Sequence, residues 1–236
     1  MTFEIVSVVN KEPTADYYCW KEFHASLERF GVKPTILGMG EPWGGLITKP
    51  KTLQKYLHDG KCKADCLIVV DAWDLVFTCP PASIVKEWRN LGAPWIIGGE
   101  RNLFPSGDES VYPECKSTYR FPNSGFIIST PDDMQKVLWD MDLGIIPNDG
   151  IDVNNWHPND QFYYQEEFLL QPVPMRIDTE TQFVWNLCGV DESNFDFGGP
   201  IPVNRETGKA PCAIHFNGGA KTDGMMDKIL THLGLR

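Results

Sequence analysis

Apolar residues along the chain fall into two kinds of segment, which alternate. Short continuous apolar runs predict buried strands, and longer stretches with an apolar residue at every third or fourth position predict amphipathic helices. The runs predict strands over residues 3–9, 34–37, 66–70, 95–98, 125–129 and 213–215. The spaced stretches predict helices over residues 16–30, 50–57, 81–91, 131–141, 160–170 and 223–233.

The alternation of strands and helices favours an α/β fold. We expect a Rossmann-type open twisted sheet, doubly wound so that helices cover both faces. The run 66–70 is typical of a strand that is buried on both faces of a parallel sheet. Residues 99–121 are rich in proline, glycine and serine without periodicity, which predicts a long loop. The length of 236 residues fits one unit, so we expect residues 1–236 to form a single domain.

Composition and net charge indicate which kinds of binding partner the protein is not expected to have. Hydrophobic residues make up 42% of the chain and charged residues 22%, as in ordinary globular proteins. The 21 basic and 32 acidic residues give a net charge of −11, which disfavours binding to nucleic acid or to an anionic membrane. Residues 1–10 lack the features of a signal peptide, and no apolar run is long enough to span a bilayer. We therefore expect a cytoplasmic protein with no membrane contact.

The seven cysteines are odd in number and form no Cys-x-x-Cys pair. Cys62 and Cys66 stand four positions apart. They are either two ordinary thiols or half of a zinc site for which no second ligand pair follows. Reduced thiols are the expectation for a cytoplasmic protein.

The clearest candidate for chemistry follows the strand at 66–70, where Asp71 and Asp74 end a buried apolar run. In an open α/β sheet, ligands bind beyond the carboxyl ends of the strands. Two carboxylates directed to one place repel each other unless a cation lies between them, and a hard divalent ion is the usual one. The alternative is that Asp74 caps a turn and Asp71 bonds to neighbouring backbone.

A second candidate is His215, which ends the predicted strand at 213–215 and precedes Asn217, Gly218 and Lys221. The glycine-permissive turn and the lysine allow backbone amides and a cation to approach phosphate oxygens. An imidazole that joins two carboxylates would suit Mn²⁺ better than Mg²⁺. The alternative is an ordinary hydrogen-bonded histidine.

A glycine-rich segment, residues 38–45, leads to Lys49 at the start of a predicted helix, where backbone donors and a cation can meet an anion. The segment matches neither the P-loop nor the dinucleotide-binding fingerprint, so ATP and NAD are not expected. Because the net charge is −11, an anionic ligand would need Lys49, Lys221 and a metal ion to reverse the sign locally. A diphosphate bridged to the protein by a cation fits these residues.

These segments belong to a series of motifs that occur in one order. The series reads Gly38-Met-Gly-Glu-Pro-Trp-Gly-Gly with Lys49, Val69-Val-Asp-Ala-Trp-Asp74, Gly99-Glu100, Tyr119-Arg-Phe-Pro-Asn-Ser-Gly-Phe-Ile127, Asn159-Asp-Gln-Phe-Tyr163 and His215-Phe-Asn-Gly218 with Lys221. Together the motifs resemble the glycosyltransferase domain of the procollagen lysyl hydroxylases. The similarity extends over most of the chain, from about Leu37 to Lys221.

The resemblance implies a GT-A-like fold and an enzyme that uses Mn²⁺ and a UDP-sugar. It implies metal ligation by Asp71, Asp74 and His215, and it places the backbone of Ala72 beside the uridine or ribose. The residues implied around the diphosphate are Lys49, Asn217, Gly218 and Lys221. The residues implied on the sugar and acceptor side are Ser124 and Gln161 as binding residues, and Asn123, Asn159 and Asp160 as catalytic candidates.

The chain departs from the family where the relatives carry a run of aspartates. Residues 156–160 read Trp-His-Pro-Asn-Asp, so we expect the acceptor subsite or the choice of sugar to differ. Residues 1–236 contain no segment that resembles the dioxygenase domain of those hydroxylases, so we expect any lysyl hydroxylation to need a separate protein.

The predicted function is transfer of glucose or galactose from UDP-glucose or UDP-galactose to a hydroxyl acceptor. The family suggests hydroxylysine or galactosyl-hydroxylysine of a collagen-like protein. The alternatives are transfer to a hydroxymethylated DNA base, and a catalytically silent sugar-nucleotide-binding module. Asp160 is the candidate general base if transfer inverts the anomeric carbon, and it stabilises the oxocarbenium-like sugar if transfer retains it.

Several of these side chains also have ordinary structural interpretations. Trp43 and Trp73 are either core aromatics or a stacking platform, and Glu100 and Asn123 are either functional or loop-capping groups. Asp160, at the start of a predicted helix, is also a conventional N-cap.

Overall fold

The computed structural model describes residues 1–15, 18–105, 107–141, 159–221 and 223–236. The strands are β1 (Phe3–Val8), β2 (Thr35–Leu37), β3 (Cys66–Val70), β4 (Leu75–Phe77), β5 (Trp95–Glu100), β6 (Phe121–Ser129), β7 (Met175–Asp178), β8 (Val184–Asn186), β9 (Phe195–Asp196), β10 (Val203–Asn204) and β11 (Ala213–His215). The helices are α1 (Trp20–Glu28), α2 (Thr48–His58), α3 (Pro81–Leu91), α4 (Pro131–Asp140), α5 (Asp160–Leu170) and α6 (Met225–His232).

Six strands form the central sheet, in the order β2-β1-β3-β6-β5-β7. β1 pairs in parallel with β2 and β3, and β5 pairs in parallel with β7. β6 runs antiparallel to both of its neighbours, β3 and β5. The sheet is therefore mixed, because β6 alone among these six strands runs against the others.

Helices cover both faces of this sheet, as the sequence predicted. Along β3, Leu67 packs into the core that contains side chains of α2, α4 and α5, whereas Cys66 and Ile68 pack into the core that contains side chains of α1 and α3. Along β5, Ile97 joins the first core and Ile96 joins the second. Because successive side chains of a strand point to opposite faces, β3 and β5 each contribute to both cores.

A smaller sheet, in the order β4-β11-β8, extends the molecule beside the central sheet. β11 runs antiparallel to β4 and parallel to β8. One face, including Phe77 and Ala213, joins the core under α1 and α3, and the other face, including Trp185 and Ile214, packs against α6. Strands β9 and β10 form a separate antiparallel pair.

β3 pairs in parallel with β1 but antiparallel with β6, so the prediction that β3 lies in a parallel sheet is wrong on the β6 side. The strand predicted at 125–129 begins four residues earlier, at Phe121, and it is antiparallel to β3. The loop that joins β5 to β6 contains, among its described residues, a short 3₁₀ turn at Glu109–Val111 and no α-helix. Parallel neighbours need a long crossover, usually a helix, whereas antiparallel neighbours do not. The lack of helical periodicity in 99–121 was therefore the signal for an antiparallel β6.

Other boundaries differ less. Helix α1 begins at Trp20 rather than at residue 16, and Asp16 and Tyr17 lie outside the described residues. Helix α3 matches its predicted bounds, with Pro81 in its first turn and Gly92 at its end in the left-handed region (φ 62°). Strands β4, β7, β8, β9 and β10 were not predicted. Within the described parts of the chain, no helix is long and apolar enough to cross a membrane.

Candidate active site

A cleft of about 800 Å³ opens at the carboxyl ends of β1, β3 and β5. This edge of an open α/β sheet is where ligands usually bind. All the residues that the sequence assigned to the site line the cleft: Lys49, Asp71, Ala72, Asp74, Asn123, Ser124, Asn159, Asp160, Gln161, His215, Asn217, Gly218 and Lys221. Their individual roles are not settled by this placement and stay predictions.

Asp71, Asp74 and His215, here called the ligand triad, each offer one potential ligand atom within 4.8 Å of the other two. His215 Nε2 lies 3.3 Å from Asp74 Oδ1 and 3.9 Å from Asp71 Oδ2. Within the described residues no other group of His, Cys, Asp or Glu side chains has this spacing, so Cys62 and Cys66 do not belong to such a group. Two carboxylates and one imidazole form a donor set that suits Mn²⁺ and related divalent ions.

Backbone pairing sets the positions of the ligand triad. In the small sheet, His215 of β11 pairs with Leu75 of β4, the residue that follows Asp74. The Phe216 backbone N–H donates to the Asp74 carbonyl oxygen at 2.7 Å, and the Asp71 N–H donates to the Gly125 carbonyl oxygen at 3.1 Å. The triad is therefore held by the register of strands from both sheets.

The ring of His215 is buried between two close contacts. Its Nδ1 lies 2.7 Å from Asn186 Oδ1, whereas its Nε2 is buried and makes no hydrogen bond with any described residue. A Cβ atom added at Gly125 would lie 2.1 Å from His215 Cε1, so this place in β6 accepts only glycine without displacing the ring. An unpaired nitrogen that faces two carboxylates fits a bound cation, which would be its missing partner.

Two lysines contact the other oxygens of the triad carboxylates. Lys49 Nζ lies 2.7 Å from Asp71 Oδ1 and 2.9 Å from Asp160 Oδ2, and Lys221 Nζ lies 2.5 Å from Asp74 Oδ2. Each aspartate thus turns one oxygen toward His215 and the other toward a lysine. The assignment of Lys49 to a diphosphate stays a prediction; its ammonium group contacts two carboxylates in this structure.

These contacts shift the pKa values of the charged groups. Burial opposes the charged form of Asp74, but the Lys221 ammonium 2.5 Å away favours that form, and the pKa of the Asp74 carboxyl lies below its usual range. Burial likewise opposes the charged form of Lys49, but Asp160 and Asp71 raise its pKa. The pKa of Asp160 is raised because burial and the Asp71 charge outweigh the attraction of Lys49.

Glu100, at the end of β5, accepts hydrogen bonds from three other side chains that line the cleft. Its Oε1 accepts a hydrogen bond from Asn217 Nδ2 at 2.9 Å, and its Oε2 accepts from Asn123 Nδ2 at 2.8 Å and from Gln161 Nε2 at 3.3 Å. We call these four side chains the Glu100 network. Burial raises the pKa of Glu100, and the three donors partly offset that rise.

The remaining site residues have definite partners. Asn159 caps α5, since its Oδ1 accepts from the Gln161 N–H at 3.0 Å, so Asp160 is not the cap and directs its carboxylate to Lys49. The Ala72 N–H donates to Ser7 Oγ at 3.1 Å, and the Ser124 N–H donates to Gln161 Oε1 at 3.4 Å. Residues Trp156, His157 and Pro158, where the sequence departs from the family pattern, lie outside the described residues.

The two tryptophans line the cleft and are not core residues. Trp43 is 38% exposed, and Trp73 is half-buried with its ring 4.9 Å from that of Tyr18. The Lys221 ammonium lies 5.5 Å from the centre of the Tyr18 ring. Aromatic faces on a cleft wall can stack on a planar ligand group.

Sequence reasoning missed Asn186, and it found Glu100 without its partners. Asn186 ends β8, a three-residue strand with no hydrophobic periodicity to reveal it. Glu100 was part of a motif, but the side chains that bind it come from three other segments of the chain. Both roles depend on contacts between residues that are distant in sequence.

Comparison with known proteins identifies the family to which the chain belongs. Residues 3–229 match the family model described as the PLOD GT domain. The chain is 26% identical over 234 residues to procollagen-lysine,2-oxoglutarate 5-dioxygenase 1 of Mus musculus, covering 92% of this chain and 30% of that protein. It is 27% identical over 224 residues to the multifunctional procollagen lysine hydroxylase and glycosyltransferase of Caenorhabditis elegans, covering 86% of this chain and 29% of that protein. The chain therefore spans about 30% of the length of these curated relatives.

A solved structure shows the same fold. It is the crystal structure of a glycosyltransferase involved in the glycosylation of the major capsid of PBCV-1, with a TM-score of 0.57 and 10% sequence identity over 96% of this chain and 100% of that one. This likeness supports the GT-A-like fold, and the match over residues 3–229 supports the family. The chain belongs to the PLOD GT domain family and is a glycosyltransferase.

Proposed function

We propose that this glycosyltransferase moves glucose or galactose from UDP-glucose or UDP-galactose to a hydroxyl acceptor and requires Mn²⁺, with residues 1–236 acting as one catalytic unit. The observation that carries the proposal is the convergence of Asp71, Asp74 and the unpaired Nε2 of His215. A cation held there would bridge the protein to a diphosphate, which a chain of net charge −11 would otherwise repel.

The leaving diphosphate gains negative charge as its bond to the sugar breaks. When bound, Mn²⁺ supplies Lewis-acid stabilisation of that charge. Lys221 adds a fixed positive charge beside Asp74, and Asn217 and Gly218 shape the adjoining turn. The Asn217 side chain is held in place because its Oδ1 accepts from the Cys188 N–H at 2.9 Å while its Nδ2 donates to Glu100. Because the Asn217 amide is already fixed, its use beside the diphosphate would require little reorganisation of the protein during the reaction.

Asp160 is the side chain that we assign to the acceptor side. It is buried and paired with Lys49, and its raised pKa brings it closer to the range in which a carboxylate accepts a proton efficiently. If transfer inverts the anomeric carbon, Asp160 takes the proton of the acceptor hydroxyl. If transfer retains it, a phosphate oxygen takes that proton and Asp160 stabilises the positive charge that develops on the sugar.

For the acceptor, we propose hydroxylysine or galactosyl-hydroxylysine in a collagen-like chain. The support is membership of the PLOD GT family and the names of the relatives, which include procollagen lysine hydroxylases. The acidic net charge of −11 argues against duplex DNA as the acceptor, because DNA binding normally uses a basic surface.

Slow hydrolysis of the donor tests this proposal without knowledge of the acceptor. Purified protein is incubated with UDP-glucose or UDP-galactose in Mn²⁺ or in EDTA, and UDP release is measured. We expect release with at least one donor in Mn²⁺ and none in EDTA. Asp74→Ala removes one ligand and should reduce release at least about 100-fold, whereas Asp59→Ala, a surface carboxylate bound to Lys55, should not. Absence of release with both donors would contradict the proposal.

A further inference from the structure

Asn186 is fixed in one orientation beside His215. The two residues pair across β8 and β11, and the Asn186 side chain is fully buried. Its Nδ2 donates to the Gly99 carbonyl oxygen at 2.8 Å. Only the amide nitrogen can donate to a carbonyl, so the amide oxygen must be the atom that lies 2.7 Å from His215 Nδ1. His215 Nδ1 is therefore the donor in that contact and carries a proton.

This contact determines which nitrogen of the neutral imidazole is free. A neutral histidine carries one N–H, so protonation of Nδ1 leaves a lone pair on Nε2. Nε2 lies 3.3 Å from Asp74 Oδ1 and 3.9 Å from Asp71 Oδ2, and it makes no hydrogen bond with any described residue. Three electron-pair donors thus face one another, which is the arrangement that a cation requires.

Close backbone contacts prevent both side chains from turning. A Cβ atom at Gly98 would lie 2.9 Å from Asn186 Nδ2, and one at Gly125 would lie 2.1 Å from His215 Cε1. The strands β5 and β6 thus approach the amide and the ring at the distance that only glycine permits. The pair behaves as one rigid unit whose unpaired end is the buried Nε2.

We propose that Asn186 is a positioning residue for the cation: it keeps His215 protonated at Nδ1 and aims the Nε2 lone pair between Asp71 and Asp74. The inference rests on the proposed function insofar as the cation is concerned. Partners that orient a metal-bound histidine in this way typically change metal affinity by about 10–100-fold when they are replaced.

Binding of Mn²⁺ to Asn186 variants tests this role. Free Mn²⁺ is measured by electron paramagnetic resonance during titration of the wild type, Asn186→Ala, Asn186→Asp and Asn204→Ala. Asn204 is the matched control, since it is equally buried and its side chain is hydrogen-bonded to Thr181 and to the Glu206 N–H. We expect Asn186→Ala to weaken binding about 10–100-fold and Asn204→Ala to change it less than about threefold.

Asn186→Asp separates positioning from a structural role. Aspartate keeps the acceptor for His215 Nδ1 but loses the donor for Gly99, so positioning predicts Mn²⁺ affinity within about threefold of the wild type. A structural role predicts the same loss as in Asn186→Ala, because the bond to Gly99 is broken in both. Equal losses in the two variants, or unchanged affinity in Asn186→Ala, would overturn the proposal.

A measurement on the wild type alone covers the case in which the variants do not fold. Long-range ¹H–¹⁵N NMR spectra of the metal-free protein, recorded at a pH at which the ring is neutral, report which ring nitrogen carries the proton. We expect the proton on Nδ1 of His215; a proton on Nε2 would overturn the proposal whatever the metal does. Failure of the wild type to bind Mn²⁺ would instead contradict the proposed function, so the two failures are distinguishable.

Discussion

The ligand triad and the Glu100 network lie in the same cleft but are held in different ways. The triad takes its geometry from strand pairing, since β11 is hydrogen-bonded to both β4 and β8. The Glu100 network takes its geometry from side-chain hydrogen bonds between β5, β6, α5 and the turn after β11. Strand register places the backbone of the triad without the help of any one side chain, whereas a side-chain network loses several bonds when one member is removed.

Lys49 joins the two regions, and its removal should have the largest effect on stability. Its ammonium contacts Asp71 of the triad and Asp160 of α5, and the Asp160 side chain is only 4% exposed. Lys49→Met leaves the buried Asp160 carboxylate and the partly exposed Asp71 carboxylate without this counter-ion, and removal of one partner from a buried pair costs about 3–5 kcal/mol. We expect the free energy of unfolding in urea to fall by this amount.

Lys55→Met is the control for Lys49→Met, because it lies on the same helix. The Lys55 side chain is 74% exposed and pairs with Asp59 one turn away. Such surface pairs contribute at most about 0.5 kcal/mol. Equal effects of the two substitutions would mean that the bridge between the triad and α5 does not stabilise the fold.

Glu100→Gln tests whether the network behaves as a unit. Glutamine offers one acceptor oxygen where Glu100 offers two, so at least one of the donors from Asn123, Asn217 and Gln161 would face an amide NH₂. An unpaired buried donor costs about 1–3 kcal/mol, which is the decrease in the free energy of unfolding that we expect.

A double-mutant cycle then measures the coupling within the network. Asn217→Leu should cost less in the Glu100→Gln background than in the wild type, by about 1 kcal/mol, because both changes disrupt the same contacts. The combination of Glu100→Gln with Lys55→Met, which shares no contact, should be additive within about 0.5 kcal/mol. Additivity of Glu100→Gln and Asn217→Leu would show that the network is a set of independent bonds.

The same contrast explains what the sequence could predict. Asp71 and Asp74 follow a continuous apolar run, and His215 follows a short one, so a strand-end position for all three could be inferred from local pattern. Their order relative to the glycine-rich and Asn-Ser-Gly motifs then indicated the family. Fold class and the coverage of both faces by helices followed from periodicity, which depends on neighbours in sequence.

Contacts between distant segments could not be inferred in this way. The pairing of Asn186 with His215 and the donors around Glu100 both depend on how separate segments meet. Strand β8 is three residues long, and its apolar and polar positions do not define a period. The part of the site that depends on tertiary contacts was therefore found only in the structure.

Glu167 extends the comparison to a buried carboxylate without full hydrogen bonding. Glu167 is buried in α5, and its Oε2 has no hydrogen-bond partner among the described residues. Burial, together with the charges of Asp140 and Glu166, raises the pKa of Glu167 to about 7 from 4.5. The folded state therefore favours the neutral acid, so the free energy of unfolding should fall as pH rises from 4.5 to about 7 and stay level above that.

Glu167→Gln removes this ionisation and should abolish that part of the decline. We expect the variant to be more stable than the wild type at about pH 8, by an amount on the order of 3 kcal/mol, and to differ little near pH 4.5. Urea unfolding at both pH values measures the difference, with Glu114→Gln, which changes an exposed carboxylate, as the control. Parallel pH curves for the wild type and Glu167→Gln would mean that the unpaired carboxylate finds water or a partner, and that the contrast with the fully bonded Glu100 does not extend to stability.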